Sequence, residues 1–156
     1  MKLLFVCTGN TCRSPLASAI ARRLAAERGR RDIQIDSAGT SPWEGAPASD
    51  GALLVGIERQ LDLSPHRARQ LTREVVQGAD IILAMGPHHV ERIDTLGGAR
   101  KTFLLTDYAS HGASARAISD PIGAELEVYR ATFDELEREI VRVFDRLAAE
   151  QASGSA

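Results

Sequence analysis

The sequence predicts a single α/β domain built on a parallel sheet. Four short β-rich runs, Lys2–Val6, Ile33–Ser37, Asp80–Ala84 and Thr102–Thr106, are separated by segments long enough for helices, the alternation that parallel sheets produce. The first and last helical segments carry apolar residues at helical spacing, and no repeat or shift in composition marks a second domain. At 156 residues the chain can bury a core without disulfides or metals.

The first strand, Lys2–Val6, is mostly apolar and runs straight into a loop at Cys7. From Ser14 to about Arg28, Leu16, Ile20 and Leu24 recur every four residues among alanines, so this segment is a helix with one apolar stripe. Pro15 is tolerated only in a first helical turn and fixes where the helix begins; Gly29 stops it. A Pro/Gly/Ser-rich stretch, Thr40–Gly51, follows the second strand, with helical pieces up to Gly78. In the last helix Leu126, Tyr129, Phe133, Leu136, Ile140, Val143 and Leu147 keep a three-four spacing. Glu125, Glu127, Asp134, Glu137, Arg138 and Arg142 form its solvated face. Residues 1–150 are read as the domain and the small, polar Gln151–Ala156 as a frayed tail.

The loop after the first strand reads Cys7-Thr8-Gly9-Asn10-Thr11-Cys12-Arg13-Ser14-Pro15. A cysteine and an arginine thus bracket a strand-to-helix turn. Backbone N–H groups converge in such a loop, and the helix N-terminus adds a partial positive charge. Arg13 offers a planar two-pronged fork to an oxyanion. The same field is expected to lower the Cys7 pKa to roughly 3.5–7.5, giving a thiolate at neutral pH. Gly9 and Asn10 are residue types that enter left-handed backbone conformations cheaply, and the Ser14 hydroxyl is placed to donate to the Cys7 sulfur. The pattern describes a cradle, Thr8 to Ser14, that holds a phosphate group while Cys7 attacks its phosphorus. A buried strand-end cysteine beside a surface-paired arginine would explain a bare C-x5-R pattern, but not nine specified residues at this junction.

Hydrophobic residues at 44% and charged residues at 26% are ordinary for a globular protein. The net charge of −2 gives no basic surface for nucleic acid, and no apolar run approaches the ~20 residues that cross a bilayer. A catalytic-looking motif at residue 7 is not expected in a cleaved signal peptide. Two cysteines in one loop suit a reducing cytoplasm better than a secreted disulfide framework. The expectation is a cytoplasmic monomer.

With these residues in view, the chain resembles the low-molecular-weight protein tyrosine phosphatases, whose signature C-x-G-N-x-C-R-S-P it matches at every fixed position. Ser37-Ala38-Gly39-Thr40 is similar to the family's S-A-G-T, His66-Arg67-Ala68-Arg69 to its H-R-A-R, and Ile82-Leu83-Ala84-Met85 to the stretch after its third strand. Trp43 and Gly45 fall in its variable pocket-wall loop, and Asp120-Pro121 matches the late D-P loop that carries the family's general acid. The resemblance implies a flavodoxin-like sheet of order 2-1-3-4 with helices on both faces. It also implies that residues 117–123 double back to the carboxyl edge of the sheet, and that catalysis needs no metal or other cofactor.

Asp120 is then the candidate acid that protonates the departing atom and afterwards activates water, although Asp-Pro alone is a common turn dipeptide. Trp43 is read equally as a pocket wall or as packing against the sheet. Cys12 is read as a resolving thiol for Cys7, with packing of the helix start as the alternative. His66, His88, His89 and His111 show no metal-ligand spacing; His88-His89 after Gly86-Pro87 reads as a helix start with a surface role. Tyr108 and Tyr129 read as structural.

A cysteine-dependent protein phosphatase is the leading reading. An arsenate reductase of the same fold would need further cysteines after Cys12, and none follows. A non-catalytic phosphate-binding or thiol-sensing module would not need both nucleophile and acid. On substrate, tyrosine-directed members usually carry a bulkier aliphatic residue at Thr11, an aromatic where Ile122 stands and often aspartate where Gly86 stands. Bacterial protein-arginine phosphatases, a branch of the family, share C-T-G-N-T-C-R-S-P with this chain. Phosphoarginine in proteins is the expected substrate and phosphotyrosine the runner-up, with Thr11, Trp43 and Ile122 as the selecting residues.

Overall fold

The computed structural model describes residues 1–154. Strands β1 (Lys2–Cys7), β2 (Gln34–Gly39), β3 (Ile81–Ala84) and β4 (Thr102–Leu104) form one parallel sheet in the order β2-β1-β3-β4. Strand β1 is central: Leu3 is registered with Ile35 and Ile81, and Val6 with Ala38 and Ala84. Its side chains alternate between two cores, as the strand period requires. Leu3 and Phe5 join the larger core with α1 (Arg13–Glu27), α5 (Leu105–Ala109) and α6 (Leu126–Gly154); Leu4 and Val6 join the smaller one with α3 (Arg73–Gly78) and α4 (Pro87–Thr95). Both faces are therefore covered, which is why β1 reads as a continuous apolar run.

Helix α1 buries Leu16 and Ile20 completely and Leu24 in part. It ends before Gly29, whose φ of 65° is a left-handed position that glycine takes without strain. Helix α6 buries Phe133, Leu136, Ile140 and Val143 fully, each burial worth about 1.5–3 kcal/mol against exposure. Among the described residues no helix is long and apolar enough to cross a membrane.

Three sequence expectations need correction. The fourth strand ends at Leu104 because Leu105 opens α5, and Thr106 instead exchanges hydrogen bonds with the backbone of Arg116. Residues 151–154, read as a tail beyond the domain, continue α6, behind an Arg146–Glu150 pair one turn apart; residues 155–156 lie outside the described residues. The charged face of α6 is more than solvated: Asp134 meets Arg59 at 2.6 Å and Glu137 meets Arg23 at 3.0 Å. These pairs tie α6 to α1 and to the end of α2 (Asp50–Glu58).

Candidate active site

The loop from Cys7 to Ser14 leaves the carboxyl end of β1 and becomes the first turn of α1, the edge at which parallel sheets bind ligands. Asn10 is its hub. Fully buried and at a φ of 54°, Asn10 donates from Nδ2 to Ser14 Oγ (2.7 Å) and Ser37 Oγ (2.9 Å). Its Oδ1 accepts from the Arg69 N–H (3.0 Å), and its carbonyl accepts from His66 Nε2 (2.6 Å). The S-A-G-T and H-R-A-R segments therefore meet on one asparagine. A carbonyl can only accept, so His66 carries its proton on Nε2; burial pushes its pKa down and keeps the ring neutral. Gly39 lies so close to the loop that a Cβ would stand 2.6 Å from the Thr8 carbonyl oxygen. Gly9, expected in a left-handed conformation, does not adopt one; the turn is made by Asn10 alone among the loop residues.

Cys7 is 2% exposed, with Sγ 2.9 Å from Ser14 Oγ. Since Ser14 Oγ already accepts from Asn10, its own proton is free to be donated to the sulfur. The expected low thiol pKa is not what the pocket gives. Burial pushes the Cys7 thiol up, outweighing the lowering by Ser14, Arg13 and the Asn10 backbone. The sequence shows the charges but not the depth of the sulfur, and desolvation favours the neutral form.

Arg13, 5% exposed, donates from Nη1 to the Ile118 carbonyl at 2.9 Å, and its Nη2 lies 3.4 Å from Asp120 Oδ2. Its Nε is buried and has no partner among the described residues. A buried charged donor without a protein partner is costly and matches the edge of an incoming oxyanion. Residues 117–123 do return to the sheet edge: the Ile118 N–H donates to the Met85 carbonyl at 2.8 Å. Thiol, guanidinium and carboxylate thus converge from two parts of the chain, the groups that displacement at phosphorus requires.

The loop of residues 40–49 is stitched to the phosphate cradle at both ends, Ser41 N–H to the Thr8 carbonyl and Ser49 N–H to the Thr11 carbonyl. Trp43, between those ties, is 86% exposed, which rules out packing against the sheet. Thr11 is half-buried, and Ile122 is exposed with its N–H donating to Asp120 Oδ1 (3.1 Å). Both cysteines are free thiols. Cys12 Sγ lies 3.1 Å from Ser49 Oγ and 3.4 Å from the Tyr129 hydroxyl.

Two residues read as peripheral belong to this site. Tyr129 closes the Cys12–Ser49 cluster, and burial pushes its pKa up to about 12. His89, expected at the surface, is fully buried, with Nε2 2.8 Å from Thr8 Oγ1 and Nδ1 without a partner among the described residues; burial pushes its pKa down to about 3. His89 and the buried Ile93 are four residues apart on α4, a spacing that marks one helix face and is the signal that could have placed the histidine inward. Tyr129 carried no signal beyond the apolar stripe it belongs to. Among the described residues no three His, Cys, Asp or Glu side chains form a metal-binding group.

Residues 2–153 match the family described as low molecular weight phosphotyrosine protein phosphatase. The chain belongs to this family. A protein-arginine-phosphatase of Geobacillus stearothermophilus is 40% identical over 152 residues, covering 96% of this chain and 98% of that one. Another from Bacillus subtilis is 37% identical, covering 88% and 90%. A solved YwlE arginine phosphatase, a cysteine-to-serine mutant with a phosphorylated active site serine, superposes with a TM-score of 0.87 at 33% identity, covering 95% of this chain and 96% of that one. Phosphatase chemistry on proteins is the activity these low molecular weight phosphatases have in common.

Proposed function

We propose that this protein is a metal-independent protein-arginine phosphatase working through a cysteinyl-phosphate on Cys7. The observation that carries the reading is the convergence of Cys7 Sγ, the buried Arg13 Nε and the Asp120 carboxylate at one sheet edge. Substrate phosphate oxygens take the loop N–H groups and the Arg13 fork. The Cys7 thiol passes its proton, by way of a substrate phosphate oxygen, to the Asp120 carboxylate, and the sulfur, held by the Ser14 hydroxyl, attacks phosphorus. The P–N bond breaks, its electron pair stays on the guanidine nitrogen, and the Asp120 carboxyl supplies the proton. Asp120, now a carboxylate, takes a proton from water; the water oxygen attacks phosphorus, the S–P bond breaks, and inorganic phosphate leaves. Under this reading Cys12 is the thiol that captures an oxidised Cys7. The protein acts on phosphorylated proteins as a cytoplasmic monomer, with no role for nucleic acid.

Thr11, whose hydroxyl and small size suit a planar polar guanidinium, supports the choice of phosphoarginine, as does the 40% identity to a protein of that name. The test compares kcat/KM for phosphoarginine and phosphotyrosine peptides of one sequence, where phosphoarginine should win. Thr11→Ile should move the ratio towards phosphotyrosine by roughly 10–200-fold, the discrimination that a group of this size provides. A ratio unchanged in the variant would remove Thr11 as the selector.

A further inference from the structure

Beside the proposed catalytic pocket lies a groove that the chemistry above does not use. Its volume is about 400 Å³, within the range of pre-formed ligand clefts. It runs between the N-terminal half of α2 and the loop before α6, lined by Ser49, Asp50, Leu54, Ile122, Leu126 and Tyr129. The Tyr129 ring forms its inner wall and lies over Gly51, where any side chain would run into the ring. The far side of the same residue faces the phosphate loop, since its hydroxyl reaches Cys12 Sγ and Ser49 Oγ at 3.4 and 3.2 Å. Groove and cradle share this wall. At the other side, Ile122 is the residue whose N–H holds Asp120 Oδ1, so anything packed on Ile122 also steadies the candidate acid.

The groove is apolar where it is open. Leu54 is 51% and Ile122 59% exposed. Single exposed aliphatic residues are ordinary, but two that face one groove beside a site that accepts phosphoproteins make a contact surface. The occupant must be covalently near the phosphorylated residue, because the groove begins where the cradle ends. We propose that it holds an aliphatic side chain of the substrate protein, within three residues of the phosphorylated one, so that the enzyme selects apolar sequence context. The inference rests on the phosphatase reading, but not on which phosphoamino acid is cleaved.

The test uses two peptide series, one phosphoarginine and one phosphotyrosine, with Leu or Asn placed in turn at each of three positions on either side. In whichever series is hydrolysed, one position should favour Leu by about 10-fold in kcat/KM, and Leu54→Asn should erase that preference. The ratio between two peptides on one protein cancels any loss of folded enzyme. Equal rates for Leu and Asn at every position would overturn the proposal, as would a preference that survives in Leu54→Asn. Hydrolysis of the phosphotyrosine series alone, with the preference lost in the variant, would refute the phosphoarginine assignment and uphold the groove. If neither series is hydrolysed, both fall.

Discussion

The two halves of the pocket are built in opposite ways. The Cys7–Ser14 loop is buried and tied from several directions: Asn10 alone engages Ser14, Ser37, His66 and Arg69, and Thr8 is held by His89. The segment that brings Asp120 has no regular structure from Gly112 to Glu125 and is mostly exposed. Its inward anchor is Ile118, 1% exposed, whose N–H bonds to Met85 and whose carbonyl takes Arg13. Holding a phosphate group calls for fixed donors. A carboxyl that gives a proton to a departing group and then takes one from water works from a lighter, more adaptable support. Under the proposed mechanism, changes in the first half should cost stability as well as activity, and changes in the second activity alone.

The largest effect falls on the fixed half. Cys7→Ser should abolish turnover while leaving binding of a phosphate mimic largely intact, since the loop amides and Arg13 remain. Residual activity within about tenfold of the parent would refute the nucleophile, because removal of such a group costs orders of magnitude more. Next comes the adaptable half: Asp120→Asn should slow turnover by roughly 10²–10⁴-fold, less for leaving groups that depart without a proton, with an unchanged melting temperature. An equal loss for good and poor leaving groups would show that Asp120 is not the donor. Asn10→Ala leaves the Arg69 N–H and the Ser37 and Ser14 hydroxyls without a partner they now have, and should lower stability by about 2–4 kcal/mol in denaturant melts.

The smallest effect is a pH dependence. His89 has its folded-state pKa depressed to about 3, so the unfolded chain binds its proton first as pH falls. The stability it contributes is complete above the ordinary histidine value near 6.5 and is lost progressively between there and about 3. At pH 5 the loss should be roughly 2 kcal/mol. His89→Gln, which keeps a hydrogen-bonding group for Thr8, should flatten that limb of the stability curve; parallel acid curves for the two proteins would contradict the assignment.

The placement of the fixed half was legible in the sequence because its residues are contiguous: spacing alone put Cys7, Arg13 and Ser14 in one strand-to-helix loop. The sheet was legible because β1 is apolar on both faces. The fourth strand was overextended because Thr106 is β-branched and its preference was overruled by its bonds to Arg116. Depth was not legible. The thiol pKa, the inward turn of His89 and the reach of Tyr129 to Cys12 all depend on what packs over a residue from elsewhere in the chain. Asp120 lay between the two cases, since a D-P dipeptide carries a role only once the loop it faces is known.

The ion pair between Arg13 and Asp120, at 3.4 Å, sets an internal carboxylate beside the guanidinium that a substrate anion would occupy. Whatever anion enters must exchange with a carboxylate already beside the guanidinium, and the carboxylate can return when the anion goes. With Asp120 41% exposed, that exchange is worth about 0–1 kcal/mol, up to a few-fold in affinity, and it acts equally against substrate and product. For an enzyme whose product is the abundant free phosphate ion, a tether that resists lingering anions keeps the cradle available for the next phosphoprotein.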